Sequence, residues 1–155
     1  MKHKLLVAVR GDKGTAKTLA YVRDACLGLD AANVKIVLFH VLPPLPPWLE
    51  AGDSATLGLQ RDNYIATAFT SGERMLTEMK EGLTREGIPA AAIETDVSDE
   101  IGRVGEAILE AAHRHECDTI VLGRRGQSMI GQFFGGSVAE QLLRNPIGLA
   151  VWLVE

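Results

Sequence analysis

Five short apolar runs divide the chain, and each is separated from the next by a longer stretch. Lys4 to Val9 is the first run, and Val34 to Leu42 is the second, with Ile36, Val37, Leu38 and Phe39 at its centre. Ala92 to Val97 is a weaker third, carried by Ile93, Thr95 and Val97. Thr119 to Leu122 is the fourth and Leu149 to Val154 the fifth. Runs that are apolar on both faces suit parallel strands with helices packed on each side. The intervening stretches have helical periodicity. Leu19, Val22, Cys26 and Leu29 recur at steps of three and four, as do Ile65, Phe69, Gly72, Leu76, Met79 and Leu83. Ile101, Val104, Ile108 and Ala111 form a third stripe. Val138, Leu142 and Asn145 form a fourth, which Pro146 ends. Each stripe reads as a core-facing surface. The order βαβαβαβαβ predicts an α/β fold: a single five-stranded parallel sheet with helices on both faces. Ligands of such sheets bind at the carboxyl ends of the strands, where the strand order reverses.

The length of 155 residues fits one domain spanning residues 1–155. A chain of this size buries a sufficient core without disulfides or structural metal. Hydrophobic residues make up 46% and charged residues 23%, which excludes a disordered or collagen-like chain. The net charge of −4 speaks against a nucleic-acid partner, because neutralising phosphates requires a basic surface. Aromatics at 5% leave little for stacking single-stranded bases. Cys26 and Cys117 lie far apart, form no metal-binding pair, and read as buried apolar residues in a reducing compartment. No run approaches the ~18 apolar residues of a membrane span, and the apolar start from Leu5 to Val9 is too short for a signal sequence. The expectation is a cytoplasmic protein with neither membrane nor nucleic acid as partner.

The segment from Pro43 to Gln60 contains Pro43, Pro44, Pro46, Pro47, Gly52 and Gly58, and is expected to be neither regular helix nor central strand. It leaves the second strand at its carboxyl end. A connection of this length is a lid over a ligand or a tolerated insertion.

After the fourth strand the chain reads Gly123-Arg124-Arg125-Gly126, and ten positions beyond Gly126 comes Gly136-Ser137. The next helix opens with Ser137-Val138-Ala139-Glu140, an S-x-x-E capping box. A strand, a glycine-rich loop and a helix start make an anion site in physical terms. Glycines let backbone amides approach a phosphate, and the helix start adds unpaired N–H groups and a favourable dipole. Arg124 and Arg125 add positive charge at the loop's start. Alone, Gly123 and Gly126 would also suit a strand-exit turn, and Ser137 an N-cap. The full pattern G-x2-G-x9-G-[ST], on strand, loop and helix in that order, is more specific.

With these residues the chain resembles the universal stress protein family, whose ATP-binding signature has this spacing. The likeness extends to Leu5-Leu6-Val7-Ala8-Val9, Leu38-Phe39-His40-Val41, Glu106-Ala107-Ile108-Leu109 and Cys117-Asp118-Thr119-Ile120-Val121-Leu122-Gly123. It implies a Rossmann-like, adenine nucleotide alpha hydrolase-like fold with strand order 3-2-1-4-5, and a protein that dimerises. It implies ATP as ligand, with adenine between the ends of strands one and two, here Ala8, Val9 and the backbone of Val41. It places ribose and phosphates along Gly123, Gly126, Gly136, Ser137 and Val138. A divalent ion such as Mg2+ can accompany the phosphates in such members, but no carboxylate of this chain is identified as its ligand.

The chain departs from the family at Arg10-Gly11-Asp12, where ATP-binding members usually carry Asp followed by Gly-Ser. The long cation either intrudes on the base pocket or reaches the phosphates, since strands one and four are expected to be neighbours. Asp12 reads chiefly as a cap of the first helix. At the last strand the family's common Cys-Pro-Val is replaced by Gly148-Leu149-Ala150-Val151. There is no Walker, nucleophile-elbow or zincin motif. His113 and His115 are two apart and read as a helix-end pair, and His40, close to the expected pocket, as a structural histidine at a strand end. Asp96, Asp99 and Glu100 read as strand-exit and helix-start residues.

No nucleophile is paired with a base, so the expected protein is not an enzyme but a stress-response regulator that holds ATP. The glycine loop favours that reading. Arg10 favours an alternative, a dimeric interaction module without nucleotide. A slow hydrolase has no identified base. Leu149 to Val154 is apolar throughout, and no Pro or charge guards it before Glu155. At a sheet edge such a strand offers unpaired backbone and apolar surface, so a two-fold homodimer through it is expected.

Overall fold

The computed structural model describes residues 2–11, 13–50, 55–98, 101, 103–123 and 148–154. Within them lie strands β1 (His3–Val9), β2 (Val34–Val41), β3 (Ile93–Ser98), β4 (Thr119–Gly123) and β5 (Ala150–Val154). The helices are α1 (Lys13–Gly28), α2 (Pro47–Glu50), α3 (Ala55–Arg85) and α4 (Val104–Arg114). The five strands form one sheet in the order β3-β2-β1-β4-β5, every adjacent pair parallel, as anticipated. The two chain directions diverge between β1 and β4, so the carboxyl ends of these strands mark the point where strand order reverses.

The central strands are buried on both faces, which explains their unbroken apolar runs. Leu6, Ala8, Val37, Phe39, Ile120 and Leu122 pack beneath α4, through Ala107, Ile108 and Ala111. Leu5, Val7, Ile36, Leu38 and Val121 pack on the opposite face against Val22 and Cys26 of α1 and Leu76 and Leu83 of α3. The edge strand β3 instead exposes Glu94 between buried Ile93 and half-buried Asp96. Asp118 joins the amino ends of β1 and β4. Its carboxylate accepts the Lys4 N–H at 3.2 Å and the Thr119 hydroxyl at 2.7 Å, and lies 3.3 Å from His3 Nδ1.

Two boundaries differ from expectation. Residues 55–60, expected to be irregular, are the first turns of α3, and Pro47–Glu50 is a helical turn. Pro47 occupies the first helical position, where a missing N–H costs nothing, and the Pro46 carbonyl accepts the N–H groups of Leu49 and Glu50 at 2.9 and 3.1 Å. Gly58 meets no neighbour within 4 Å, so it costs α3 only its weak helix propensity, about 1 kcal/mol. Helix α4 ends without glycine: Glu116 takes the left-handed conformation at φ 54°, while the Cys117 N–H bonds back to the Ala112 carbonyl at 2.8 Å. Among the described residues no helix is long and apolar enough to cross a membrane.

Candidate functional site

Helix α3 has 31 residues and is therefore ~46 Å long, whereas the eight residues of β2 span about 26 Å. Since α3 joins two parallel strands it runs antiparallel to them, and its amino-terminal half overhangs their carboxyl ends. A cavity of about 460 Å³ lies beneath this overhang. Its floor is Arg10 after β1 and His40, Val41 and Leu42 at the end of β2. Pro43 and Pro44 form one wall, Ala68, Ser71, Gly72 and Met75 of α3 the other, and Val104 at the start of α4 closes a side. The size and the apolar walls suit a small organic ligand. Among the described residues its polar side chains are Arg10, His40 and Ser71.

Three glycines let the elements around this edge close up. Gly11 has φ +82°, a backbone conformation that favours glycine, and a Cβ there would stand 2.5 Å from Met75 Sδ, which would have to shift. Its N–H donates to Thr15 Oγ1 at 3.1 Å, tying the exit of β1 to the first turn of α1. At Gly72 a Cβ would lie 2.8 Å from His40 Cδ2. At Gly123 it would lie 2.7 Å from Thr18 Oγ1, whose hydroxyl donates to the Gly14 carbonyl at 3.1 Å. Close packing of β4 on α1 therefore disfavours a side chain at Gly123.

Of the anticipated site residues, Arg10 and Val41 line the cavity together. Ala8 and Val9 lie beside it, buried in the sheet on opposite faces. Gly123 ends β4, the neighbour of β1. Arg124, Arg125, Gly126, Gly136, Ser137 and Val138 lie outside the described residues, as do Asp12, Asp99, Glu100 and the fourth helical stripe. Sequence reasoning missed Leu42, Ser71, Gly72, Met75 and Val104 as cavity residues. One signal was available: Gly72 interrupts a core-facing stripe, and glycine in such a place marks a close approach. The Pro-rich segment is partly anchored, since Leu49 is buried and its carbonyl accepts from Arg61 Nη2 at 3.1 Å.

Asp96 requires correction, whereas His40 does not. His40 is buried and structural, as expected, with Nδ1 2.9 Å from the Val9 carbonyl, and it also lines the cavity. Asp96 is not a strand-exit residue serving a helix start. It lies within β3, paired with Arg114 and 2.8 Å from His115 Nε2, because α4 brings its carboxyl end back over this edge of the sheet. Glu94, two residues earlier on the same face, lies 3.4 Å from His115 Nδ1 and 3.0 Å from Lys4 Nζ. The Lys4 ammonium is the main cause holding the Glu94 carboxyl below its ordinary range. Among the described residues no group of three or more His, Cys, Asp or Glu is placed to hold a metal ion.

Fold and cavity together define a doubly wound α/β domain with a cavity at the carboxyl edge of its sheet. The chain belongs to the universal stress protein family, whose family model matches residues 1–146. A search of curated proteins returned no match. Among solved structures, a universal stress protein family member from Burkholderia pseudomallei is 21% identical, with 97% of this chain and 94% of that one covered and a TM-score of 0.61. A universal stress protein in complex with cAMP is 20% identical, with coverages of 99% and 96% and a TM-score of 0.57. A family protein from Arabidopsis thaliana with AMP bound is 16% identical, with coverages of 98% and 90% and a TM-score of 0.59. At these identities the likeness is one of fold.

Proposed function

We propose that this protein is an adenine-nucleotide-binding regulator of the stress response, holding ATP without appreciable turnover and acting as a cytoplasmic homodimer. The observation that carries the reading is the cavity at the carboxyl ends of β1 and β2, where Arg10 and Val41 meet. Its apolar walls match the faces of a planar base, and β4 delivers Gly123 beside β1. Family members solved with AMP and cAMP support an adenine nucleotide as the ligand class.

In this reading the base enters between Val41 and α3, next to Ala8 and Val9. The ribose and phosphates follow Gly123, Arg124, Arg125, Gly126, Gly136, Ser137 and Val138, whose amides and charges complement an anion. Arg10 lies in the cavity with the base and is the chain's substitute for the family's carboxylate. ATP fits these residues through its base and its charge. Among the described residues the cavity lining includes no carboxylate for Mg2+, so these residues would hold the nucleotide rather than the ion.

Calorimetric titration tests the proposal. ATP or AMP should bind the wild type, and Gly126→Val or Gly136→Val should abolish binding while the circular dichroism spectrum stays unchanged. Nucleotide should also be released when the purified protein is denatured. Absence of binding by both nucleotides would overturn the reading in favour of an interaction module without nucleotide.

A further inference from the structure

His40 is held in a way that fixes the chemistry of its free ring edge. The Val9 carbonyl can only accept a hydrogen bond, so Nδ1, 2.9 Å away, carries the proton and donates. In the neutral imidazole Nε2 is then the unprotonated nitrogen, a hydrogen-bond acceptor. The ring turns Nδ1 toward β1 and its Cδ2–Nε2 edge toward α3. There the bare backbone of Gly72 leaves it room: a Cβ would stand 2.8 Å from Cδ2 and 3.6 Å from Nε2. His40, Ser71 and Gly72 all line the cavity, and Nε2 forms no hydrogen bond among the described residues.

We propose that His40 Nε2 is a specificity-determining acceptor that selects bases carrying an exocyclic amino group, so that the cavity takes a 6-aminopurine in preference to a purine lacking that donor. This rests on the adenine-nucleotide reading of the same site and adds to it the group that reads the base. The ring is nearly buried and tied at its other nitrogen, so its acceptor is positioned before the ligand arrives. A ligand without a matching donor displaces water from Nε2 and returns no hydrogen bond, which is where polar discrimination arises. The apolar surfaces of Val41, Leu42 and Met75 hold the ring faces and do not distinguish one purine from another.

The test compares AMP with purine riboside 5′-monophosphate, which differ only in the 6-amino group, by titration calorimetry. The wild type should bind AMP on the order of tenfold more tightly. His40→Asn keeps a short amide that can donate to Val9 but has no acceptor at the Nε2 position, so its preference should fall to near one, chiefly through weaker AMP binding. A preference unchanged in the variant would overturn the proposal and assign the reading to backbone groups. If wild type binds neither compound, the nucleotide reading falls and this inference with it. Nitrogen-15 spectra of histidine-labelled wild-type protein give a second measure that does not depend on the variant's folding. AMP should shift the His40 Nε2 resonance while Nδ1 stays protonated, and purine riboside 5′-monophosphate should not. An Nε2 signal unmoved by bound AMP would refute the contact.

Discussion

Replacing Gly72 by alanine should destabilise the protein, although the same change in an ordinary helix interior stabilises it. Alanine is favoured over glycine by about 1 kcal/mol in a helix. Here the new Cβ would sit 2.8 Å from His40 Cδ2 and 3.5 Å from Val97 Cγ1. The imidazole cannot recede freely, because Nδ1 is bonded to the Val9 carbonyl and the residue is only 8% exposed. Overpacking of this kind costs about 1–3 kcal/mol, and losing the Val9 hydrogen bond would add about 1 kcal/mol. Subtracting the propensity gain leaves a net loss of about 1–3 kcal/mol. Urea denaturation should show a lower midpoint at unchanged slope. In a His40→Ala background the obstruction is absent, so Gly72→Ala should become stabilising by about 1 kcal/mol, and the double-mutant cycle should show that coupling. A Gly72→Ala midpoint higher than wild type would refute the argument, because it would mean that His40 yields without cost.

The thiols of Cys26 and Cys117 are each pushed up to about 11, chiefly by burial. Both should therefore resist a thiol reagent at pH 8 in the native protein and react at once in denaturant. Because the folded value lies above the ordinary 9.0, the unfolded chain loses these protons first, so stability should fall as pH rises from about 9 through 11; stability that is flat over this range would refute it. At the other end of the sheet, β5 is an edge strand whose Leu153 is 53% exposed. Leu153→Lys or Val151→Lys should shift a homodimer toward monomer in sedimentation, and a wild-type monomer at micromolar concentration would refute pairing through β5.

The sheet was legible because its central strands are apolar on both faces, a pattern that leaves few alternatives once helices separate the runs. The weaker Ala92–Val97 run was readable for the converse reason: an edge strand needs only one buried face, and Ile93 supplies much of it. The start of α3 was not legible, because two glycines and four prolines lie between the end of β2 and Gln60, and the prolines stop at Pro47 while the helix begins at Ala55. Half of the cavity was also hidden. Arg10 follows β1 and Val41 ends β2, so both can be placed by topology alone, whereas Ser71 and Met75 reach the site through the way α3 crosses the ends of these strands. The pairing of Asp96 with Arg114 and His115 depends likewise on where α4 crosses the edge of β3, which periodicity does not encode.

The carboxyl edge of the sheet and its interior are built on different terms. In the interior, Leu5, Val7, Ile36 and Leu38 fill the space between β-sheet and helices with large side chains, and stability comes from their burial. At the edge the chain removes side chains instead. Gly11 lets β1 exit beneath Met75, Gly72 lets α3 approach His40, and Gly123 lets β4 close on Thr18. Each contact joins a strand end to a helix on the same face of the sheet, so together they draw α1 and α3 down around the point where the strand order reverses. A glycine within α3 sacrifices about 1 kcal/mol of helix propensity, which packing alone would favour replacing. What the close approach secures is geometry: a histidine held at one nitrogen, a cation and an apolar wall facing one another across a cavity of about 460 Å³. Ligand binding at this edge is therefore expected to recover stability that the apo fold gives up there, and to do so only for ligands that reach both α3 and the ends of β1 and β2.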